Sequence, residues 1–317
     1  MKSAEPPEGP PTRARTIALM RELAAVEGYT ATRLAGVRLL RSDRALKTTP
    51  VLYEPGIVFV CQGRKTGVWG QRFYVYDTQH YLAVAAPVPF TMETEATAEE
   101  PLLAIYLTLD LPVVAELVTQ LDALLGPSTY EPASLLSTPV DARLAACVLR
   151  LLEALSAPVE SALLGPAIVR EIYFRVLAGP QGPALRAALA DKGHVARVGK
   201  ALQKIHADYF ETLDVDTLAR VAGLGVSTFH AHFKNVTGSS PLQYLKLIRL
   251  HKARLLMLRE NMTAAAAASR VGYESASQFS REFKRLFGLS PASETTRLRA
   301  AYALPETPGP ERWISSH

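Results

Sequence analysis

Three regimes of apolar spacing follow one another along the chain. Between residues 13 and 26, leucine, alanine and methionine recur at helical intervals and stop before Gly28, which predicts a short amphipathic helix. From 51 to 110 the period shortens. Runs rich in valine, tyrosine and phenylalanine at 57–61, 72–77, 80–85, 90–95 and 102–109 are divided by glycine and proline, as in antiparallel strands of a compact barrel or sandwich. Gly70 and Gln71 suit the turn of a hairpin between two of them. Helical spacing returns at 113–125, 142–155 and 159–177. Gly179, Pro180, Gly182 and Pro183 then interrupt it, predicting a hinge within 178–193. From His194 to the region of Pro305 the pattern is helical with short turns. The expected organisation is α+β: a leader (1–12), a β-rich barrel or sandwich domain with flanking helices (13–178), a linker (179–193), an all-α domain (194–300) and a tail (301–317).

The all-α region repeats itself. RVAGLGVSTFHAHFKNVTGSSP at 220–241 aligns without gaps on RVGYESASQFSREFKRLFGLSP at 270–291, and the identical positions include Phe229/Phe279, Phe233/Phe283, Lys234/Lys284, Gly238/Gly288 and Pro241/Pro291. Such an offset match is one supersecondary unit used twice. In each copy a helix stops at a short turn, and a second helix starts near Ser227 or within Ser275 to Ser277. The phenylalanines four apart share its buried face. Gly238 and Gly288 suit C-caps, and Pro241 and Pro291 can open the next helix. This is helix, tight turn, helix.

The face opposite the phenylalanines presents Ser227, His230, Ala231 and Lys234 in the first copy, and Ser277, Gln278, Arg281 and Lys284 in the second. A helix laid in a major groove could offer Arg281 to guanine and Gln278 to adenine, while Lys234 and Lys284 suit phosphates. A helical repeat that packs on a partner protein is the competing reading, but small, polar and basic side chains make a poor interface core. Between the copies, the run 241–258 predicts a helix of roughly 25 Å with Leu245, Ile248, Ala253 and Leu256 as core, long enough to hold two reading heads on one duplex.

Charge sharpens this picture. Residues 194–299 carry 16 lysines and arginines against 8 acidic residues, a net of +8, so the rest of the chain, within a total of +5, is left at −3. No run approaches the ~18 apolar residues of a membrane span, and the proline- and glutamate-rich start lacks the features of a secretory signal, so the expected location is the cytoplasm. Cys61 and Cys147 stand far apart without a partner motif, which argues against a disulfide frame or a zinc site; His230 and His232, two apart on a helix, do not share a face. No metal and no cofactor are expected.

The segment from His194 to Arg299, with GYESASQFSREFKRLFGLSP, resembles the C-terminal DNA-binding domain of AraC/XylS-type transcription regulators. GIVFVCQGRKTGVWGQRFYVYD at 56–77 and GPQGPALRAAL resemble the sensor domain of one subgroup. The resemblance implies a cupin-like N-terminal barrel that binds a small effector and a tandem helix-turn-helix domain that binds double-stranded DNA. It makes Ser227, His230, Ala231, Ser277, Gln278 and Arg281 the base-facing set. Ala231 departs from the arginine common there. RNA polymerase, a homodimer and activation are further implications of the family, and no enzymatic reaction is implied.

For the barrel, the aromatic and polar strand residues Trp69, Tyr74, Tyr76, His80 and Tyr106, with Arg64 and Lys65 from the GRK loop, are candidate effector contacts, each equally at home in a barrel core or a solvated loop. Cys61 joins them if a neighbouring cation lowers its pKa; otherwise it is an inert strand cysteine. Leu163, Ile168, Ile172, Tyr173 and Val176 are spaced for a dimer face, or for packing within one chain. A barrel that catalyses a reaction, and a regulator with no effector, remain the alternatives.

Overall fold

The computed structural model describes residues 10–69, 72–190 and 195–301. After α1 (Pro10–Leu23) comes a sheet of ten antiparallel strands: β1 (Gly28–Ala31), β2 (Val37–Ser42), β3 (Leu46–Tyr53), β4 (Gly56–Gln62), β5 (Arg64–Trp69), β6 (Arg72–Asp77), β7 (His80–Val84), β8 (Val88–Glu95), β9 (Leu102–Thr108) and, beyond α2 (Leu111–Leu125), β10 (Leu135–Pro139). Their order is β1-β2-β9-β4-β7-β6-β5-β8-β3, with β10 added on β7. β1 and β3 end the sheet without pairing to each other, so the expected barrel takes the form of a half-barrel. β5 and β6 pair with Trp69 opposite Arg72; the expected turn at Gly70 and Gln71 lies outside the described residues.

Side chains alternate between two apolar faces. In β4, Ile57, Phe59 and Cys61 belong to one core with the helices, whereas Val58 and Val60 belong to the core inside the curl. In β9, Leu103, Ile105 and Leu107 face the helices, and Leu102, Ala104 and Tyr106 face inward. A sheet covered on both sides needs apolar residues at every position, which is why GIVFVCQ and LLAIYLT read as unbroken runs.

The helical layer comprises α1, α2, α3 (Ala142–Ser156), α4 (Pro158–Leu163), α5 (Gly165–Ala178) and α6 (Gly182–Ala190). Asp110 and Asp141 cap α2 and α3 by accepting from the backbone N–H of Val113 and Leu144. The single helix expected at 159–177 is two, because Pro158 and Pro166 each open a helix and a proline cannot continue one. Of the residues spaced for a dimer face or for packing within one chain, Ile168, Ile172, Tyr173 and Val176 take the second role, buried in this chain's own core, and Leu163 is 74% exposed. The expected hinge is mostly a docked helix. Gly182 and Pro183 open α6, whose Arg186 donates to the Leu177 carbonyl at 2.8 Å and lies 3.4 Å from Asp122. Leu185 and Ala188 join the helical core. α1 in turn starts within the expected leader, at Pro10.

The C-terminal region is α7 (Val195–Asp208), α8 (Val215–Ala222), α9 (Val226–Thr237), α10 (Pro241–Arg259), α11 (Ala264–Arg270), α12 (Ala276–Phe287) and α13 (Pro291–Ala301). α8-α9 and α11-α12 are the two helix-turn-helix units, and α10 joins them. Phe229 and Phe233 pack with Tyr244 and Ile248 of α10 in one core; Phe279, Phe283 and Phe287 pack with Ala253 and Met257 of α10 in the other. Leu245, Ile248 and Ala253 are buried as expected, whereas Leu256 is half-buried between buried Leu255 and Met257. α10 is buried or half-buried at most positions because both units and β3 lie against it. The Arg249 guanidinium donates to the carbonyls of Tyr209 (2.6 Å), Glu211 (2.7 Å) and Gly272 (3.1 Å), tying the α7–α8 loop to the turn of the second unit. Glu294 of α13, wholly buried, accepts two hydrogen bonds from Arg297 and faces Arg254, whose guanidinium stacks on Phe287.

The two regions touch. β3 lies against α10 and α12, and Arg44 donates to the carbonyl of Ala300. No described helix is long and apolar enough to cross a membrane.

Two outcomes are expected. Glu294→Ala leaves Arg254 buried without its carboxylate and should cost about 3–5 kcal/mol in urea unfolding of the C-terminal region; a loss under 1 kcal/mol would show the cluster to be solvated. Burial lowers His206 from 6.5 to about 4, and burial also holds His251 well below the usual histidine value. Because the unfolded chain binds the protons more readily, stability is full above the ordinary histidine value and is lost as pH falls toward 4. The His206 share is about 3 kcal/mol. Thermal melts should drop across this window, and His206→Gln should flatten the profile.

Candidate nucleic-acid interface and effector chamber

α9 and α12 are built alike but start differently. The Ser275 hydroxyl caps α12 by accepting from the Gln278 N–H at 3.2 Å. α9 starts from Gly225, with no side-chain cap, so Ser227 sits inside the first turn and is not its start. Both helices end on left-handed glycines, Gly238 at φ 72° and Gly288 at φ 78°, whose N–H groups return to the carbonyls of Lys234 and Lys284. A side chain at 238 would be doubly opposed, since the Trp69 indole occupies the space where a Cβ would point. Pro241 and Pro291 open α10 and α13 as expected.

With the phenylalanines fully buried, the other face of each helix is open to solvent. Ser227, His230, Ala231 and Lys234 on α9, and Ser277, Gln278, Arg281 and Lys284 on α12, are all exposed. One residue that sequence reasoning missed organises the second face. Glu282 accepts from Lys246 (2.9 Å) and Gln278 (3.2 Å) on one oxygen and from the Tyr273 hydroxyl (2.8 Å) on the other. Burial alone would push its carboxyl up, but the hydrogen bonds from Lys246, Tyr273 and Gln278 hold it below the usual carboxylate value. Gln278 is thereby tethered to a carboxylate that is itself anchored on α10. In the first unit His232 stands where Glu282 does in the second, and Ala231 stands where Arg281 does.

The expected effector contacts divide. Tyr74, Tyr76 and Tyr106 line the inside of the curl, joined by Tyr53 and Phe90. The Tyr53 and Tyr76 hydroxyls are 2.6 Å apart, and the Lys65 ammonium donates to the Tyr106 hydroxyl at 3.2 Å. Strand alternation sends Lys65 inward, 1% exposed, and Arg64 outward to Asp77 at 3.8 Å. No carboxylate among the described residues lies within ion-pair distance of Lys65, and burial lowers its pKa to about 7. Cys61, Arg64 and His80 are corrections. Cys61 is buried on the helical side of β4, Arg64 points into solvent, and His80 sits at the β6–β7 turn against Asp77. Trp69 packs at the edge of this aromatic core, against Gly238.

The comparisons agree with this geometry. The family model for the N-terminus of AraC-type transcriptional regulators matches residues 33–184, and that for a helix-turn-helix domain matches 218–297. The RCS-specific HTH-type transcriptional activator RclR of Escherichia coli is 32% identical over 103 residues, covering 32% of this chain and 36% of RclR. The HTH-type transcriptional regulator ExsA of Pseudomonas aeruginosa is 29% identical over 126 residues, covering 39% of this chain and 44% of ExsA. Each match thus spans less than half of the relative. Among solved structures, apo ToxT from Vibrio cholerae shares the fold with TM-score 0.57 at 12% identity over 85% of this chain and 98% of ToxT, and unsaturated fatty acid bound ToxT does so with 0.55 at 13% over 81% and 94%. The match to the N-terminus of AraC-type transcriptional regulators, followed in the same chain by the match to a helix-turn-helix domain, makes this chain a member of the AraC family of transcriptional regulators.

Proposed function

We propose that the chain is a ligand-responsive, sequence-specific DNA-binding regulator in which α9 and α12 enter successive major grooves of one duplex. The observation that carries this reading is the pair of helices with buried phenylalanines and exposed polar, basic faces, fixed to the two ends of one 19-residue connector of about 28 Å. Arg281 and Gln278 read bases, Lys234 and Lys284 meet phosphates, and Ser227, His230, Ala231 and Ser277 complete the base-facing set. The second unit supplies most of the sequence discrimination, because Arg281 is a bidentate donor and Ala231 is none. Action in the cytoplasm, activation through RNA polymerase and pairing of two protomers belong to the reading as family traits.

The interior of the curl, around Lys65, opens as a chamber for the effector, a small organic acid. A buried ammonium that faces phenolic hydroxyls and no carboxylate is the counterpart of an acid group. The unsaturated fatty acid bound by ToxT, a protein of the same fold, is a ligand of that chemistry. Binding alters how β3 and Trp69 seat against α10, α12 and the end of α9, which shifts the equilibrium between arrangements that differ in DNA affinity.

Arg281→Ala should weaken specific binding by ~1–3 kcal/mol and relax preference at one base position, whereas Lys234→Ala should lower affinity on all sequences and reduce the salt slope by about one. Footprinting on a selected operator and salt titrations on random duplex separate the two; equal losses on both DNAs for Arg281→Ala would end its role as a reader. Lys65→Met should abolish binding of an unsaturated fatty acid in calorimetry while stabilising the empty protein at pH 7 by about 1–4 kcal/mol. The sign follows from the lowered pKa: the fold disfavours the ammonium, so wild-type stability rises from pH 7 toward 10.5 and the variant's does not. Retained acid binding in Lys65→Met would empty the chamber of its proposed ligand.

A further inference from the structure

A second cavity, of about 590 Å³, opens between the sensor region and the first helix-turn-helix unit. One wall is the sensor: Pro87 after β7, and Leu111 and Val114 of α2. The opposite wall is α7 and the end of α9, with Leu202 and Val236, and α6 closes one side with Leu189. None of Tyr53, Lys65, Tyr76 and Tyr106 lines it, so it is separate from the chamber inside the curl. From these observations we infer that the junction cavity is a second ligand site, for a mainly apolar small molecule with a single acid group.

The volume lies in the range of small-molecule sites, ~300–1,000 Å³, and far exceeds the voids that interiors leave between well-packed side chains. Apolar walls without a filling forgo dispersion contacts that an apolar occupant restores. The charged lining is sparse. Glu54 and Lys200 both border the cavity, and among the described residues Lys200 has no acidic side chain within ion-pair distance. His206, the other basic group, is kept neutral near pH 7 by burial and is hydrogen-bonded to the Tyr244 hydroxyl at 2.9 Å. An acid group therefore goes to Lys200, an exposed side chain, and so sits where the cavity meets solvent. Because the walls belong to both regions, the occupant acts as a wedge between them: it bonds α7 and α9 to the sensor and fixes where the first reading helix stands.

Gly199 makes the site testable. It lines the cavity, and a Cβ built there meets no atom within 4 Å, so Gly199→Trp adds bulk at the cavity wall with no clash at its first atom. The probes are 8-anilinonaphthalene-1-sulfonate, an apolar anion, and N-phenyl-1-naphthylamine, its neutral analogue, titrated by fluorescence into the full-length protein. Both should bind saturably, and Gly199→Trp should weaken both about tenfold or more with an unchanged melting temperature and circular dichroism. Lys200→Gln should weaken the anion about tenfold and leave the neutral probe unaffected. Lys65→Met, which empties the other site, should change neither. Undiminished probe binding in Gly199→Trp overturns the site, loss of binding in Lys65→Met returns the probes to the chamber, and equal effects of Lys200→Gln on both probes overturn the acid group.

Discussion

Burial of two phenylalanines, four residues apart, against a shared helix is the constraint from which the working surface follows. Phe229 and Phe233 seat α9, Phe279 and Phe283 seat α12, and all four are fully buried. Each such ring contributes about 1.5–3 kcal/mol by leaving water, enough that neither helix is free to roll. A roll would carry Arg281 and Gln278 off the exposed face and bring the rings out. Because both seats are on α10, the two faces are registered to each other by one rigid body, and Arg249 adds a polar tie between the α7–α8 loop and the turn of the second unit.

The same connector makes the sensor and the reading units one mechanical system. α10 touches β3, Arg44 reaches the end of α13, and Trp69 rests on the C-cap of α9. The buried Lys65 lies inside the sheet that bears those contacts. The docked α6, tied by Arg186 to α2 and α5, removes the slack that a flexible linker would introduce.

The C-terminal region was legible residue by residue because its signals are local: paired phenylalanines, capping glycines and opening prolines are read within a few positions, and the repeat states each of them twice. The central strands were legible for the same reason in another form, as apolar runs bounded by turns. The strands β2, β3 and β5 were not, since VRLLRS, LKTTPVLY and RKTGVW mix charge, threonine, proline and glycine, and their place depends on partners far away in sequence. Lys65 shows the limit best. Beside Arg64 it reads as a surface loop, and only pairing of β5 with β6 and β8 decides that one cation turns inward and the other outward. Cys61 fails by the same one-residue parity. Gly182 and Pro183 mislead in the opposite direction, because the pair that breaks one helix starts the next.

The position of β3 at the end of the sheet carries a consequence for the molecule's solubility. An outermost strand presents an unpaired row of backbone donors and acceptors, a template on which another chain can add a strand. Here α10 and α12 lie over that strand, so the reading units also serve as its shield. A regulator that released them fully would bare a sticky seam, and chains would tend to stitch together. Selection against aggregation thus favours signalling by small shifts of docked parts over their wholesale detachment.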